Sequence, residues 1–598
     1  MTFSFSLRRL LSQKWLDNAV MLIGCIYPLT ALSDFHYNFA YDWTVHLYNI
    51  AYFGEYFRQH FGFPNTVNTQ ALIGWAIPIF YGFTFYALTG VISSVTGASI
   101  AYRIFVISMF LIQYRLARKV AGAFGGKRFY SHCFALLLTW TLYPMTNLYN
   151  RSASTEFAAV TAMNCGFFCW ILLASDPERW KRTSVPWLFG FFFAFSAGSH
   201  PITALYATIT FLFYWIFTFA ASNQKKYLFK VTLISGLTGA VILSPWIYAT
   251  AKFKRYLQIG ATTNHIWFSP EAIDWFWTRV NLFPYDPRPP YDSTPHLDAQ
   301  MATPFLLFSL VSLILILTQK KSFKITERGS PENTRALALL SGCLFIIYFI
   351  LSNRESIWTL IPAQYHFVQM AYRLVSYLNL TIFLLAASLL PGVLKLKKPK
   401  IMNALLILCL ILSAVSVGIK LRRATNVYQW PTFPGLVDRA PHLLLQDIPF
   451  GHQNMARNSY VTNGLFHHEN DPSSIWKRIP LSMSMAADEF GETKSVHFAA
   501  DLDPWVLTNI QAFPWNHVVI DGLSPKESDV QEKENLIAIK VKPGEHDLSY
   551  DFSPDPIWSI LKKLSYLFFF GWITAILFFE VYRPIKAKGQ RARKSTVG

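Results

Sequence analysis

Charge is scarce in this sequence. Asp, Glu, Lys and Arg make up 15% of its 598 residues, where a soluble domain carries roughly 25%. So little charge beside 53% apolar residues excludes a disordered or collagen-like chain. It also overrules a division into soluble domains of roughly 150 residues each. Cysteine is scarce too. The six fall at positions 25, 133, 165, 169, 343 and 409, each inside an apolar run, which excludes a disulfide-stapled secreted module. Cys165 and Cys169 share a helix face with no His or carboxylate nearby, and read as core packing. No phosphate-binding Walker loop, Gly-x-Ser-x-Gly elbow, His-Glu-x-x-His helix or dinucleotide fingerprint occurs. The first apolar segment lacks a small-residue cleavage site and is expected to remain as a span.

What the chain has instead is phenylalanine, 52 of them, and several apolar windows near or beyond ~18 residues, the length a bilayer crossing needs. This is the pattern of a polytopic α-helical membrane protein. The formal net charge of +19 does not point to nucleic acid, because the basic residues sit in short clusters between apolar runs, as cytoplasmic loops require. Lys225 with Lys226, Lys320 with Lys321, Lys395 to Lys400 and the tail Lys586 to Lys594 are examples. The charge reads as topology and attraction to anionic lipid headgroups.

Basic clusters at the N-terminus, 115–128, 179–182, 224–230, 320–335, 395–400 and 583–594 require an even number of spans between neighbours if all are cytoplasmic. From 128 onward the pairs are 130–148 with 153–174, 185–200 with 203–220, 230–249 with 302–318, 335–352 with 371–391, and 401–419 with 558–580. Before 115 lie three apolar segments: 17–33, 71–93 and 98–115. The middle one, with Pro78 and three glycines, reads as interfacial or re-entrant. The expectation is therefore about twelve spans with both termini cytoplasmic. Thirteen would put a basic N-terminus outside. External regions follow at 34–97, 250–301, 353–370 and 420–556, with short turns at 149–152 and 199–203 on the same side. The domain division is 1–419 for the transmembrane part, 420–556 for an extracytoplasmic β-rich domain, and 557–598 for the last span and its basic tail.

The insert 420–556 has more charge, more Pro and period-2 alternation. Ile537, Ile539 and Val541, then Lys542-Pro543-Gly544-Glu545, then His546, Leu548, Tyr550 and Phe552 predict a hairpin. Val506 to Ile510 and His517 to Ile520 predict further strands, and the whole a small β-sandwich-like unit.

Chemistry is expected at the external ends of the spans. In Asp42-Trp43-Thr44-Val45-His46, apolar Trp43, Leu47, Ile50, Phe53 and Phe57 recur at helical spacing, which predicts an aromatic amphipathic helix on the membrane surface. Asp42 and His46, four apart, could be a general base and its partner; equally, Asp42 could be only the helix N-cap. Arg151 and Glu156, His200, His366, Gln369 and Arg373 all fall at external span ends by the same parity. Ionisable residues there are costly and point to function. Together they suggest an anion site, phosphate for instance, although each alone reads as a snorkelling or paired residue. In loop 250–301, His265, Asp274, Arg279, Asp286, Arg288, Asp292, His296 and Asp298 stand among Pro and aromatics, a loop able to close over an extended substrate.

These pieces resemble the GT-C superfamily of membrane glycosyltransferases. The likeness is nearer to bacterial membrane proteins labelled 6-pyruvoyl-tetrahydropterin-synthase-related and to the YfhO-like proteins. It rests on Asp42 through Leu47, Tyr149-Asn150-Arg151 through Glu156, Ser199-His200, Gln369-Met370-Ala371-Tyr372-Arg373, Phe513-Pro514-Trp515, Asp521-Gly522 and Pro543 through His546. The resemblance implies a GT-C-like fold and a polyprenyl-phosphate-linked sugar donor. It implies an acceptor that is a glycan, lipid or protein, and inverting transfer on the periplasmic face of a bacterial inner membrane. It implies Asp42 as base, with Asp34 as competitor for that role, and Arg373, Arg151 and His200 around the lipid phosphate. It names no cofactor and leaves a divalent cation open. The alternatives are a transporter or lipid or glycan flippase with an anion site, and a non-catalytic scaffold whose β-domain binds glycan.

Overall fold

Inside lipid a backbone must satisfy its own hydrogen bonds, so apolar runs of this length become helices. The computed structural model describes residues 13–33, 38–39, 43–68, 73–253, 273–274, 299–318, 331–362, 371–395, 399–426, 429–430, 477–479, 496–500, 505–533 and 536–582. Along the chain its helices are α1 (Gln13–Ile26), α2 (Trp43–His60), α3 (Phe83–Thr96), α4 (Ala98–Ala123), α5 (Arg128–Thr139), α6 (Leu142–Met145), α7 (Ser154–Ser175) and α8 (Val185–Ser199). After these come α9 (Pro201–Ala221), α10 (Lys225–Phe253), α11 (Thr303–Thr318), α12 (Pro331–Asn353), α13 (Val375–Leu394), α14 (Pro399–Asn426) and α15 (Pro556–Leu577). Among the described residues, nine helical stretches are long and apolar enough to cross a membrane, and α3, α8 and α11 are shorter apolar helices. The chain is a multi-pass helical membrane protein with a small C-terminal sheet region.

Helix α7 is the axis of the bundle. Every residue from Ser154 to Ala174 is buried, with α4, α8 and α9 packed around it. Lipid tails are as apolar as Leu, so helix association here depends on shape and small residues rather than on water exclusion. The shape is supplied by interlocked rings: Phe167, Phe189, Phe193 and Phe211 meet at centroid separations of 4.8–5.9 Å. Small residues supply the close approach of α2 and α3. A Cβ at Gly90 would lie 2.7 Å from Phe53 Cβ, and one at Gly54 2.6 Å from Ser93 Oγ.

Three expectations are corrected. The segment 130–148 is not one straight span. Helix α5 stops at Thr139, α6 follows, and a π-turn runs over Thr146–Asn150. Pro144 is the cause, because its ring would collide with the carbonyl four residues back, at Trp140, where the helix ends. Second, α2 does not lie half-exposed on a surface. Besides the expected Leu47, Ile50 and Phe53, its other faces bury His46, Tyr48, Asn49, Ala51, Tyr52 and Glu55, because α3, α4 and α7 enclose it. Third, the predicted hairpin across Lys542–Glu545 does not form.

The strands explain why. Strand β1 (Asn38–Phe39) pairs antiparallel with β4 (Gln429–Trp430), and β2 (Ile273–Asp274) pairs parallel with β3 (Ala299–Gln300). The larger unit contains β5 (Lys477–Ile479), β6 (Val496–Ala500), β7 (Trp505–Gln511), β8 (Asn516–Ile520), β9 (Val530–Lys533), β10 (Leu536–Lys540) and β11 (Gly544–Phe552). One sheet runs β5-β7-β10-β9 and the other β6-β11-β8. Strands β10 and β11 are interior to different sheets, each with a partner on both edges, so the Pro-Gly turn carries the chain between layers. Val506, Ile510, Ile537 and Ile539 of one sheet face Val518 and Leu548 of the other, so the alternation reports burial correctly while misassigning the partner.

The β-unit is tied to the bundle along a seam and an aromatic nest, and Leu507, Leu536 and Ala538 also join the bundle's own core. At the seam, Ile73 joins the core of the β-unit, Gln511 N donates to Ile73 O at 2.9 Å, and Asn516 Nδ2 donates to Gly74 O at 2.8 Å. Beside this seam, the turn between β7 and β8 drives Phe513 and Trp515 into a nest of Phe80, Ala249, Phe253 and Trp558. Trp515→Ala removes one of the two indole rings of that nest and is expected to cost about 3–5 kcal/mol. Protease cleavage of the β-unit in nanodisc-embedded protein should accelerate, and an unchanged cleavage rate would contradict the anchoring role.

On the outside of the unit, His546 Nδ1 meets Asp521 Oδ2 at 2.8 Å and His546 Nε2 meets Lys542 O at 2.7 Å. The Asp521 bond first, and the Lys542 carbonyl second, raise the imidazole pKa above its ordinary value. A raised folded pKa means the stabilisation is complete below the unfolded value of about 6.5 and is lost as pH climbs through the folded one. Hydrogen-exchange protection of β8 and β11, corrected for intrinsic rates, should fall over that rise and lose its pH dependence in His546→Gln.

Candidate functional site

The site forms where α6, the π-turn, the start of α7, and the 3-10 turn Ala371–Leu374 meet. Ser152, between the π-turn and α7, adopts φ +53°, a left-handed conformation that a non-glycine residue pays for. Its carbonyl accepts from Ser154 N at 2.9 Å. That reversal, and the π-turn before it, place Arg151 back over the first turn of α7, where Glu156 projects. Irregular turns of this kind concentrate at functional positions.

Glu156 is the hub, and it is 1% exposed. Its Oε2 accepts from Arg151 Nη1 at 2.9 Å and lies 3.1 Å from Arg373 Nε; its Oε1 accepts from Tyr143 Oη at 2.7 Å. Arg151 Nη1 also donates to Asn147 Oδ1 at 2.9 Å, and its guanidinium lies 5.0 Å from the centre of the Tyr372 ring. Both arginines are buried. Each guanidinium has more donors than Glu156 can absorb.

Two histidines border this cluster. His200 joins α8 to α9, and its Nδ1 accepts from Thr203 N at 3.2 Å, so that nitrogen carries no proton and the ring is neutral with Nε2–H. It lies within electrostatic reach of Glu156, Arg373, Arg151 and His46, and Tyr81 packs edge-on at 5.8 Å. Tyr81 also bonds Thr155, the neighbour of Glu156. His46, on α2, bonds Tyr86 Oη through Nδ1 at 2.7 Å. Burial pushes its pKa down to about 3, with the Arg151 charge acting in the same direction. Gly82, at φ +68°, lets the chain turn between Tyr81 and α3; a Cβ there would meet the Tyr86 ring at 2.5 Å.

Of the residues singled out in the sequence, Arg151, Glu156, His200 and Arg373 come together, and His46 lies beside them. Asp34, Asp42, His366 and Gln369 lie outside the described residues, as does most of the loop 250–301. Sequence reading missed Tyr143 and Asn147, and gave Tyr372 only as part of the motif Gln369 to Arg373 with no role of its own. Asn147 had a signal, four residues before Arg151, but lay hidden in a segment taken as an unbroken span. Tyr143 stood beside the proline that breaks that span. Some polar groups here remain unanswered: Asn147 Nδ2, Ser152 Oγ and Ser376 Oγ are buried and find no hydrogen-bond partner. Buried polar atoms normally find one, and Asn147 Nδ2 must lie near the guanidinium that its own Oδ1 touches. No group of three or more His, Cys, Asp or Glu able to hold a metal ion occurs among the described residues.

Comparison with family models, curated proteins and solved structures finds no match to this chain.

Removing the hub carboxylate takes away the anion that both buried guanidiniums share. Glu156→Ala is expected to cost about 3–5 kcal/mol and Glu156→Gln less, because an amide oxygen still accepts from Tyr143. Thermal unfolding in detergent measures both. Equal stability of Glu156→Ala and wild type would remove the hub role.

Proposed function

We propose that this protein is an integral membrane glycosyltransferase that moves a sugar from a polyprenyl-phosphate donor to an acceptor hydroxyl. In this reading the fold is GT-C-like with about twelve spans. The transfer site opens on the periplasmic side of a bacterial inner membrane, with the β-unit on that side. The observation that carries the reading is the pair of arginines converging on one carboxylate inside an apolar bundle, with buried donors beside them still unpartnered. Permanent guanidinium charge in a dry site, beside the unpartnered Asn147 Nδ2 and Ser152 Oγ, suits a lipid-linked phosphate, whose headgroup must be met at membrane depth.

The step is a direct displacement at the anomeric carbon. The acceptor oxygen bonds to that carbon as the bond from it to the phosphate oxygen breaks, inverting the configuration. The bonding electrons leave on the phosphate, where Arg373 and Arg151 meet the developing charge. The acceptor proton passes to a carboxylate base, for which Asp42, immediately before α2, is first choice and Asp34 second. Neutral His46, held through Nδ1 by Tyr86, orients the acceptor or the base. A GT-C-like fold gains further support from the two helices α2 and α3 that follow the first span and pack against each other near the cluster.

Purified protein in nanodiscs, given radiolabelled polyprenyl-phosphate hexoses and pentoses with an envelope acceptor fraction, tests the reading. One donor should be consumed. Asp42→Asn should lose about 100-fold or more of the rate while retaining donor binding, and Arg373→Ala should lose both binding and rate, by about 100-fold. A well-folded wild type that binds no donor would sink the proposal in favour of a transporter.

A further inference from the structure

Helix α15 carries a lysine that the proposed reaction does not use. Lys562 lies six residues, about 9 Å, beyond the first residue of that helix. An ionisable side chain set into an apolar helix is costly and points to a ligand or a path. A lysine near a helix end usually extends its ammonium outward to water. Lys562 instead turns inward, to the loop after α2, where Nζ donates to Phe63 O at 2.7 Å, Pro64 O at 3.1 Å and Asn65 Oδ1 at 2.6 Å. All three oxygens are neutral. The three N–H groups of the ammonium are thereby engaged, while no carboxylate pairs with its charge among the described residues. Lys252 of α10, by contrast, is ion-paired with Asp555.

Two free donors stand beside this charge. Trp558, Lys562 and Tyr566 are spaced by four and form one stripe on α15. The stripe lines a shallow recess whose other walls include Ile79, Phe83 and Trp246. The ammonium lies 5.5 Å from the centre of the Trp558 ring. Trp558 is 2% exposed, and its buried Nε1 finds no hydrogen-bond partner, where a buried N–H normally has one. Trp246, across the recess, shows the usual state, with Nε1 donating to Phe80 O at 3.0 Å. The Tyr566 hydroxyl also makes no hydrogen bond among the described residues.

We propose that this recess holds the headgroup of an anionic bilayer phospholipid. The phosphate sits against Lys562 and accepts from Trp558 Nε1 and Tyr566 Oη. The ammonium contributes charge and the two neutral donors contribute direction. A zwitterionic headgroup would bring its own cation toward Lys562, so the recess favours lipids of net negative charge. Ile557, Ile560 and Leu564 of the same helix are 40–59% exposed and give acyl chains an apolar flank to lie along, a contact that a soluble phosphate would lack. The site is separate from the Glu156 cluster and does not depend on the glycosyltransferase reading.

The test uses full-length protein in phosphatidylcholine nanodiscs doped with a phosphatidylglycerol that carries a photoactivatable diazirine in one acyl chain. After illumination and digestion, mass spectrometry compares labelling of the peptide around 556–566 with labelling of the basic segment 224–230. Unlabelled phosphatidylglycerol should displace the α15 label at least roughly fivefold better than phosphatidylcholine does. Trp558→Phe and Tyr566→Phe, which keep their rings and remove one donor each, should each lower the ratio of α15 label to 224–230 label by roughly threefold or more. Lys562→Met should abolish the preference for phosphatidylglycerol. A general loss of structure would lower both labels together and leave their ratio unmoved. An unmoved ratio in the double variant Trp558→Phe with Tyr566→Phe overturns the proposal, as does equal displacement by phosphatidylcholine. Displacement by soluble glycerol phosphate as effective as that by the lipid would overturn the assignment to a bilayer lipid.

Discussion

Two guanidiniums buried in an apolar bundle need an anion, and Glu156 is the one the described structure supplies. Taking each charge out of water costs several kcal/mol, repaid only by close pairing and by hydrogen bonds to what remains. The surrounding architecture follows from that requirement. Arg151 reaches Glu156 because a proline ends α5 and a π-turn with a left-handed Ser152 folds the chain back. Arg373 reaches it because a 3-10 turn leads into α13. Tyr143, on the short α6, takes the second carboxylate oxygen. Three separate stretches of chain are thus pinned to the first turn of the most buried helix, where the positive end of the helix dipole also favours a carboxylate.

The same place is connected outward to the β-unit by packed side chains. Tyr81 touches both Thr155 and His200. Its predecessor Phe80 packs edge-on against Phe513, which in turn meets Trp515. The segment 73–76 is threaded between these layers, with Ile73 in the β-core and Ala76 N bonded to Gln511 Oε1 at 2.9 Å. A domain hung on a membrane bundle by a loose linker would contact it over a polar, replaceable surface. Here the contact is aromatic and buried, and it continues through Phe80 to Tyr81 beside the site. On the same side of the assembly, Lys562 of α15 donates to the carbonyls of Phe63 and Pro64 and to Asn65 Oδ1 at 2.6–3.1 Å, tying the last helix to the loop after α2.

Long apolar windows, basic clusters and period-2 alternation are local properties, and what depends on them was legible in the residues. The helical membrane character, the sheet region before the last helix, and the strands at Val506–Ile510 and His517–Ile520 belong here. So does the suspicion attached to Arg151, Glu156, His200 and Arg373, since an ionisable residue at a span end is conspicuous against so apolar a background. Partner choice was not legible. Alternation around Pro543 and Gly544 reported which faces are buried, but not that β10 and β11 enter different sheets, because a Pro-Gly turn serves an inter-layer crossing as well as a hairpin. The heptad-like apolar spacing of α2 showed one buried face and could not reveal that neighbours cover the others.

Sequence by itself determined the helical membrane character of the chain, because transfer of a side chain between water and lipid depends on that side chain and its few neighbours. Only the tertiary structure decided that Arg151, more than 200 positions from Arg373, shares one carboxylate oxygen with it, and that Asn147 leaves a donor unspent beside them. Pairing of that kind is a matter of ångström distances set by a broken helix, a π-turn and a left-handed serine acting together, and no one of those is encoded at the residues it serves.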